Sequence, residues 1–161
     1  MKQIKTKLSY LIEIPKISDE GQLVFTEGKR HLPFAIKRVY YIFDVERGAI
    51  RGHHAHKKCQ QVLFCIKGKI NIVLDNGYEK EELVLDKPNE GIFLDKMMWH
   101  EMKDFEANSV LLVFASDYYK EKDYIRDYNN FLKLCGRQIF KSLKDVPQTA
   151  ILNEPIESIG V

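Results

Sequence analysis

Short apolar runs, separated by turn residues, dominate the chain up to about residue 116. They are rich in β-branched and aromatic residues, which favour strands. The runs are residues 37–44, 61–66, 70–74, 82–86, 91–94 and 109–115. Asn76 and Gly77 stand between two runs and favour a hairpin, since both residues tolerate a positive φ. The intervals are too short for the helical crossovers of a parallel sheet, so the pattern predicts an all-β sandwich or barrel.

The pattern changes after Asp117. Apolar and aromatic residues over 118–134 have approximately the spacing of one helical face, and we expect Gly136 to end that helix. The remainder contains two prolines and little periodicity, which is typical of an extended tail. We therefore predict one domain over residues 1–136 and a C-terminal tail over residues 137–161.

Composition and charge narrow the classes of function. The 161 residues are 45% hydrophobic and carry a formal net charge of +2, too little to indicate a nucleic-acid or membrane surface. No stretch approaches the roughly 18 apolar residues that span a bilayer, and no segment resembles a signal peptide. The 3 cysteines lack CxxC spacing and are expected to be free thiols in a reducing compartment. We therefore expect a cytoplasmic protein without nucleic-acid or membrane partners.

Residues 51–56, which read RGHHAH, are the most informative segment. Residues two apart on a strand share a face, so His54 and His56 should point together and His53 away from them. Two imidazoles on one face can be two metal ligands. They can equally be an acid and a base, because histidine changes charge near neutral pH.

The histidine segment resembles the first motif of the cupin family. That motif is matched by His54, His56, Gln60 or Gln61, and Gly68. Gly91 and His100 resemble the second motif. The resemblance implies a double-stranded β-helix, or cupin jelly roll, here with a C-terminal helix. In metal-binding cupins the third position of the first motif is usually glutamate, whereas both candidates here are glutamines, and we therefore expect no metal and no cofactor.

Four further segments resemble one cupin subfamily, the sugar 3,4-ketoisomerases that act on dTDP-4-oxo-6-deoxyglucose. They are residues 34–44, 51–58, 99–102 and 115–119, and the resemblance covers roughly residues 5–135. It implies an isomerase that moves the ketone from carbon 4 to carbon 3, on a route to dTDP-3-amino-3,6-dideoxyhexoses for surface glycans. It leaves open whether the product has the galacto or the gluco configuration. Cupins of this kind are usually homodimers.

The reaction needs a proton transfer at carbon and another at oxygen. By resemblance to the dTDP-sugar 3,5-epimerases, which share Arg-Gly-x-His, His54 is implied as the carbon base. His56 is then the oxygen shuttle, although the two roles could be reversed. No redox cofactor is needed, and the chain contains no Gly-rich dinucleotide motif.

Five residues are expected to bind the substrate. Arg51 suits the pyrophosphate, because a planar guanidinium binds phosphate oxygens bidentately. Arg38 and Lys37 are weaker candidates, and strand alternation lets only one of them face inward. Tyr40 is expected to contact the thymine or the sugar, and His100, brought into the same cavity by the cupin pattern, to orient the substrate.

Three alternatives remain open at the level of the sequence. The first is a metal-dependent cupin enzyme in which His54, His56 and His100 hold one ion. The second is a non-catalytic sugar-binding cupin, and the third is a dTDP-sugar 3,5-epimerase.

Overall fold

The computed structural model describes the backbone of residues 2–144 and the side chains of residues 2–136. Within these residues the chain forms thirteen strands, one 3₁₀ turn at Glu121–Asp123 and one α-helix. The elements are β1 (Lys2–Lys5), β2 (Tyr10–Glu13), β3 (Lys16–Ser18), β4 (Gln22–Val24), β5 (Arg38–Ile42), β6 (Arg51–His56), β7 (Gln61–Lys67), β8 (Ile70–Asp75), β9 (Lys80–Leu85), β10 (Glu90–Leu94), β11 (Trp99–Lys103), β12 (Val110–Ala115), β13 (Tyr124–Ile125) and α1 (Tyr128–Lys144).

Two antiparallel sheets face each other. The six-stranded sheet has the order β1-β2-β10-β7-β12-β5, and the five-stranded sheet has the order β13-β6-β11-β8-β9. The hairpin of β3 and β4 forms a separate small sheet. Most neighbours within the two large sheets are not consecutive in the chain, as the crossing connections of a jelly roll require. The all-β fold with a C-terminal helix, predicted from the sequence, is confirmed.

Alternate residues of β8 and β12 fill the space between the sheets. Ile70, Ile72, Leu74, Leu111 and Val113 are each at most 1% exposed, while the residues between them are mostly half-buried. Successive side chains of a strand point to opposite faces, so this pattern puts one face of each strand in the core. Burying each of these side chains contributes roughly 1.5–3 kcal/mol relative to leaving it exposed.

The hairpin predicted at Asn76 and Gly77 joins β8 to β9. Asp75 pairs with Lys80 across it, and the Asn76 carboxamide oxygen accepts hydrogen bonds from the backbone N–H groups of Tyr78 and Glu79. Only Gly77 uses a positive φ, of 91°. The turn therefore depends on the asparagine side chain and on the glycine backbone for different reasons.

The C-terminal helix differs from the sequence prediction at both ends. It begins at Tyr128 rather than 118, because the 3₁₀ turn and β13 precede it and β13 pairs with β6. It continues through Gly136 to Lys144, although a glycine inside a helix costs about 1 kcal/mol. Phe131 and Cys135 are buried in a cluster with Trp99, which packs the part of the helix before Gly136 against β11.

The predicted tail lies partly in α1 and, from residue 145, outside the described residues. The domain boundary at residue 136 stays a prediction. Within residues 2–144, no helix combines the length and the apolar character needed to cross a membrane.

Candidate active site

The register of β6 brings three imidazoles together. His54 lies opposite His100 on β11, and His56 lies opposite Tyr124 on β13. The ring centroids of His54 and His56 are 5.0 Å apart, and those of His54 and His100 are 4.4 Å apart. The Tyr124 ring is 4.3 Å from the His56 ring. His54 and His56 therefore share a face, as strand alternation predicts.

His53 does not follow that alternation. The register shifts between His100 and Glu101, which leaves His53 as the extra residue of a β-bulge with a φ of 53°. Its Nδ1 is 3.2 Å from the Glu101 carboxylate, and its exposed ring lies at the rim of a cavity. Gly52 has a φ of 93°, and a Cβ there would be 2.6 Å from the His100 carbonyl oxygen. The simple expectation that His53 is turned to the opposite face of a regular strand is therefore wrong, because Gly52 and His53 form the bulge.

A cavity of about 670 Å³ lies beside this cluster, within the range of small-molecule sites. Its wall is formed by β5, by the first half of β6 and by the segment that includes β13. The functional groups in the wall belong to Arg38, Tyr40, Tyr41, Arg51, His53, His54, Tyr119, Tyr124 and Arg126. A second hollow of about 560 Å³ adjoins it and is also lined by Arg51.

Three of the predicted site residues lie outside the lining of this cavity. His56 is 3% exposed and His100 is 2% exposed, and both lie behind the His54 ring. Lys37 instead forms an ion pair with Asp117, with 3.5 Å between Nζ and the carboxylate oxygen. The structure therefore brings together His54, His56 and His100 as a cluster, but it leaves only His54 facing the cavity.

His54 is held as a neutral imidazole. Its Nδ1–H donates to the Gly52 carbonyl oxygen at 2.8 Å, which leaves a lone pair on Nε2. That Nε2 is buried and has no hydrogen-bond partner among residues 2–136. Burial lowers the pKa of the imidazole below 6.5, so His54 is neutral at neutral pH.

His56 belongs to a chain of hydrogen bonds that ends in the cavity. Its Nδ1–H donates to the Asp123 carboxylate at 3.0 Å, and its Nε2 accepts from the Gln61 amide at 2.8 Å. The Gln61 carbonyl oxygen in turn accepts from the Tyr40 hydroxyl at 3.2 Å. Burial and the neighbouring His54 lower the pKa of His56 to about 4, although Asp123 acts in the opposite direction. Both ring nitrogens of His56 are therefore occupied in its neutral form.

The remaining members of the cluster are also uncharged. His100 donates from Nδ1 to the Met98 carbonyl oxygen at 3.3 Å, and burial lowers its pKa well below 6.5. Burial raises the pKa of the Tyr40 hydroxyl, so this group keeps its proton at neutral pH. The base, the hydroxyl and the buried imidazoles thus form a neutral site.

Three guanidinium groups line the same cavity. That of Arg38 lies 5.2 Å from the Tyr40 ring and 5.7 Å from the Tyr119 ring, and its buried Nε has no hydrogen-bond partner. That of Arg126 lies 4.4 Å from the Tyr124 ring. Arg51 is the third. Arg126 is paired with the Glu121 carboxylate, so Arg38 and Arg51 supply the positive charge of this wall, which suits a phosphorylated ligand.

Several residues of the site were not identified from the sequence. Asp123, Tyr124 and Arg126 lie in the segment that was predicted to be helical. Their positions depend on pairing with β6, and Asp123 is 67 residues from its partner His56. No local spacing pattern reports a contact of that range, so only the fold reveals it. Gln61 was considered only as a missing metal ligand, whereas it links His56 to Tyr40.

Comparisons with known proteins agree on one family. The family model described as WxcM-like, C-terminal matches residues 7–136. A TDP-4-oxo-6-deoxy-alpha-D-glucose-3,4-oxoisomerase of Aneurinibacillus thermoaerophilus is 49% identical over 128 residues, which are 79% of this chain and 92% of the relative.

Two solved structures extend the similarity to the fold. QdtA, a sugar 3,4-ketoisomerase from Thermoanaerobacterium thermosaccharolyticum in complex with TDP, is 43% identical with a TM-score of 0.78, covering 80% of this chain and 94% of QdtA. WlaRB, a TDP-quinovose 3,4-ketoisomerase from Campylobacter jejuni, is 42% identical with a TM-score of 0.75, covering 80% of this chain and 99% of WlaRB. The chain therefore belongs to the WxcM-like, C-terminal family of sugar 3,4-ketoisomerases and is an isomerase.

Proposed function

We propose that this enzyme converts dTDP-4-oxo-6-deoxyglucose to its 3-oxo isomer by proton transfer. The observation that carries the proposal is His54, a neutral imidazole whose Nε2 has no partner among residues 2–136 and whose side chain lines a cavity with three guanidinium groups. The relative from A. thermoaerophilus is named for this substrate, and QdtA was crystallised with TDP. A base and an anion-binding wall in one cavity are what a keto-sugar joined to a nucleotide requires.

His54 carries out the steps at carbon. The ketone at carbon 4 acidifies the proton on carbon 3, and Nε2 of His54 removes it to give an enediol. The imidazolium then returns a proton to carbon 4. Because burial favours the neutral imidazole, the base is ready at neutral pH and is a strong acid once protonated. His100, which contacts the back of the His54 ring, keeps that ring in position.

The steps at oxygen use Tyr40, with His56 acting through it. Isomerisation must remove the proton from the oxygen on carbon 3 and add one to the oxygen on carbon 4. The Tyr40 hydroxyl lines the cavity and is protonated, so it can exchange protons with these oxygens. His56 and Gln61 hold that hydroxyl at the end of their hydrogen-bond chain. His56 therefore keeps its role on the oxygen side, but as the residue that positions Tyr40.

The guanidinium groups hold the nucleotide. Arg51 lies between the two adjoining hollows and is proposed to bind the diphosphate there. Arg38 offers a buried N–H group that has no partner among residues 2–136, whereas the Arg126 guanidinium is already paired with the Glu121 carboxylate at 2.8 and 3.1 Å. Lys37 is left out of this role because it pairs with Asp117 outside the cavity.

Metal-free chemistry is part of the proposal. Gln61 presents an amide N–H to Nε2 of His56, so this position supplies a donor where a cupin metal site would need a carboxylate. His54, His56 and His100 then act as neutral imidazoles and not as ligands of one ion. EDTA should accordingly leave the activity intact.

We propose a cytoplasmic homodimer that acts in surface-glycan synthesis. The 3 free cysteines fit the reducing cytoplasm, where nucleotide sugars are the substrates of surface-glycan synthesis. The outer face of β5 exposes Val39 and Tyr41, and such a face suits a homodimer contact. The 3-oxo product would feed an amination that gives a dTDP-3-amino-3,6-dideoxyhexose.

The direct test is proton NMR of the purified protein with dTDP-4-oxo-6-deoxyglucose in EDTA. We expect signals of a 3-oxo isomer, and their coupling constants will give the configuration at carbon 4. Unchanged substrate, or product that forms only after a divalent ion is added, would contradict the proposal.

A further inference from the structure

A third potential ligand lies beside the bond between His56 and Asp123. The Cys59 thiol is buried, and the ligand atoms of His56, Cys59 and Asp123 all lie within 4.8 Å of one another. The thiol makes only long contacts, 3.5 Å to the Gln60 carbonyl oxygen and 3.9 Å to the Ser116 hydroxyl. The proposed reaction makes no use of this sulfur.

We propose that His56, Cys59 and Asp123 form an inhibitory site for Zn²⁺, on the side of His56 that faces away from the cavity. Thiolate, imidazole and carboxylate are the ligands that zinc takes in proteins, and three of them leave a fourth position for water. A thiolate in the set favours zinc over Mg²⁺ or Ca²⁺, which prefer oxygen ligands. This site uses Nδ1 of His56 and is distinct from a cupin site that would use His54, His56 and His100.

The groups around the three ligands support a metal. A ligating histidine normally has its second ring nitrogen in a hydrogen bond, and Gln61 bonds to Nε2 of His56. The Asp123 carboxylate accepts backbone N–H groups of Lys58 and Cys59, at 2.9 and 3.2 Å, which orient it toward His56. These hydrogen bonds therefore hold His56 and Asp123 in position before any ion binds.

Binding must move protons. In the neutral chain Nδ1 of His56 carries the hydrogen that it donates to Asp123. Zinc at Nδ1 requires that proton to move to Nε2, and zinc at sulfur requires Cys59 to lose its thiol proton. The balance is one Zn²⁺ bound, one proton shifted within His56 and one proton released to solvent.

The proton stays on Nε2 of His56, but it changes the direction of the hydrogen bonds that lead to the cavity. With hydrogen on Nε2, His56 becomes a donor toward the Gln61 amide nitrogen, so two donors face each other. The Gln61 amide must rotate to accept from His56, and it then presents its N–H₂ group to Tyr40. The Tyr40 oxygen becomes an acceptor and loses the arrangement that the reaction uses. This consequence rests on the proposed function, whereas zinc binding itself does not.

Binding is tested on the full-length protein with Zn²⁺ and a competing chelator, comparing wild type, Cys59→Ala and Cys65→Ala. Cys65 is a matched control, since its thiol is also buried but lies in the core between the sheets. We expect one Zn²⁺ per wild-type or Cys65→Ala chain and at least about tenfold weaker binding to folded Cys59→Ala, given that even outer-shell changes cost 10–100-fold. Equal affinity of wild type and Cys59→Ala would overturn the site.

Two further readouts separate ligation from loose association. Co²⁺ should give a thiolate charge-transfer band in wild type and Cys65→Ala that is missing in Cys59→Ala. Calorimetry in two buffers should detect one proton released per zinc.

The inhibitory role is tested in the NMR assay. Zinc should stop the reaction of wild type and Cys65→Ala, and EDTA should restore their activity, whereas Cys59→Ala should remain active in the presence of zinc. Zinc that binds without slowing the reaction would overturn the inhibitory role. A zinc-free enzyme without activity would contradict the proposed function and leave the binding result to stand alone.

Discussion

Two imidazoles on one strand have opposite surroundings. His54 has one ring nitrogen tied to Gly52 and the other buried without a partner in the cavity wall. His56, two residues later, has both nitrogens bonded and is 3% exposed. Strand alternation gives both side chains the same direction, but the neighbouring strands decide which one meets the substrate. This difference supports the proposed roles, in which His54 transfers protons at carbon and His56 positions Tyr40.

The largest effect is expected from His54→Asn. The variant should fold, because the ring borders a cavity, and kcat should fall by about 10²–10⁴-fold, the usual contribution of a general acid or base. Steady-state kinetics with a circular dichroism control would measure this. A folded variant with a near-normal rate would contradict the assignment of His54 as the carbon base.

His56→Asn should follow, with a loss on the order of 10²-fold, because Tyr40 loses its support through Gln61. The double variant His54→Asn/His56→Asn should be hardly slower than His54→Asn, since both residues serve one reaction sequence. Fully multiplicative losses would mean that the two imidazoles act independently, and the difference drawn between them would have to be revised.

Arg51→Ala should raise KM by about tenfold or more and change kcat little. A charge-assisted contact to the diphosphate is made equally in the ground and transition states, and uniform binding is expressed in KM. Arg51→Lys keeps the positive charge but loses the planar guanidinium, so its KM should lie between those of wild type and Arg51→Ala. A normal KM together with a large fall in kcat would contradict the assignment.

The pH profile should separate His54 from an ordinary exposed histidine. Burial lowers the pKa of His54, so the neutral base persists below pH 6.5 and activity is lost only as the pH falls through that lowered pKa. The acid limb of kcat/KM should therefore lie below pH 6.5. A limb above pH 6.5 would mean that the base is a different group or is stabilised in its charged form.

The smallest effect is expected from His53→Asn, no more than about threefold in kcat. This residue is in the bulge, and its ring contacts the Glu101 carboxylate instead of the histidine cluster. A surface substitution of this kind usually has little effect. A loss as large as that of His54→Asn would show that the rim of the cavity takes part in the chemistry.

Local periodicity was sufficient for β5, β7, β8, β9, β10 and β12 and for the shared face of His54 and His56, whereas β1–β4, β11 and β13 lie outside the predicted runs. The strand runs and the Asn76-Gly77 turn carry their signal within a few residues, so the pattern reports them. The bulge at His53 follows from the fit of Gly52 against the His100 carbonyl, which no spacing rule contains. Long-range pairing likewise escapes a local pattern.

The segment after residue 117 illustrates this limit. Its apolar residues have helix-like spacing, yet Tyr124 is in a strand because β6 offers it a partner. Asp123, brought to His56 by the same pairing, could not be predicted as a site residue for this reason. The helix continues through Gly136 to Lys144, although glycine has a low helix propensity.

The most direct test of His54 as the carbon base is proton NMR of the reaction in D₂O with EDTA, comparing wild type with His54→Asn. Wild type should form the 3-oxo isomer while the proton on carbon 3 is lost and the proton on carbon 5 is kept, and His54→Asn should do neither step at a comparable rate. Exchange at carbon 5 would indicate epimerase chemistry. Product formation by folded His54→Asn at the wild-type rate would contradict the assignment of His54 as the carbon base.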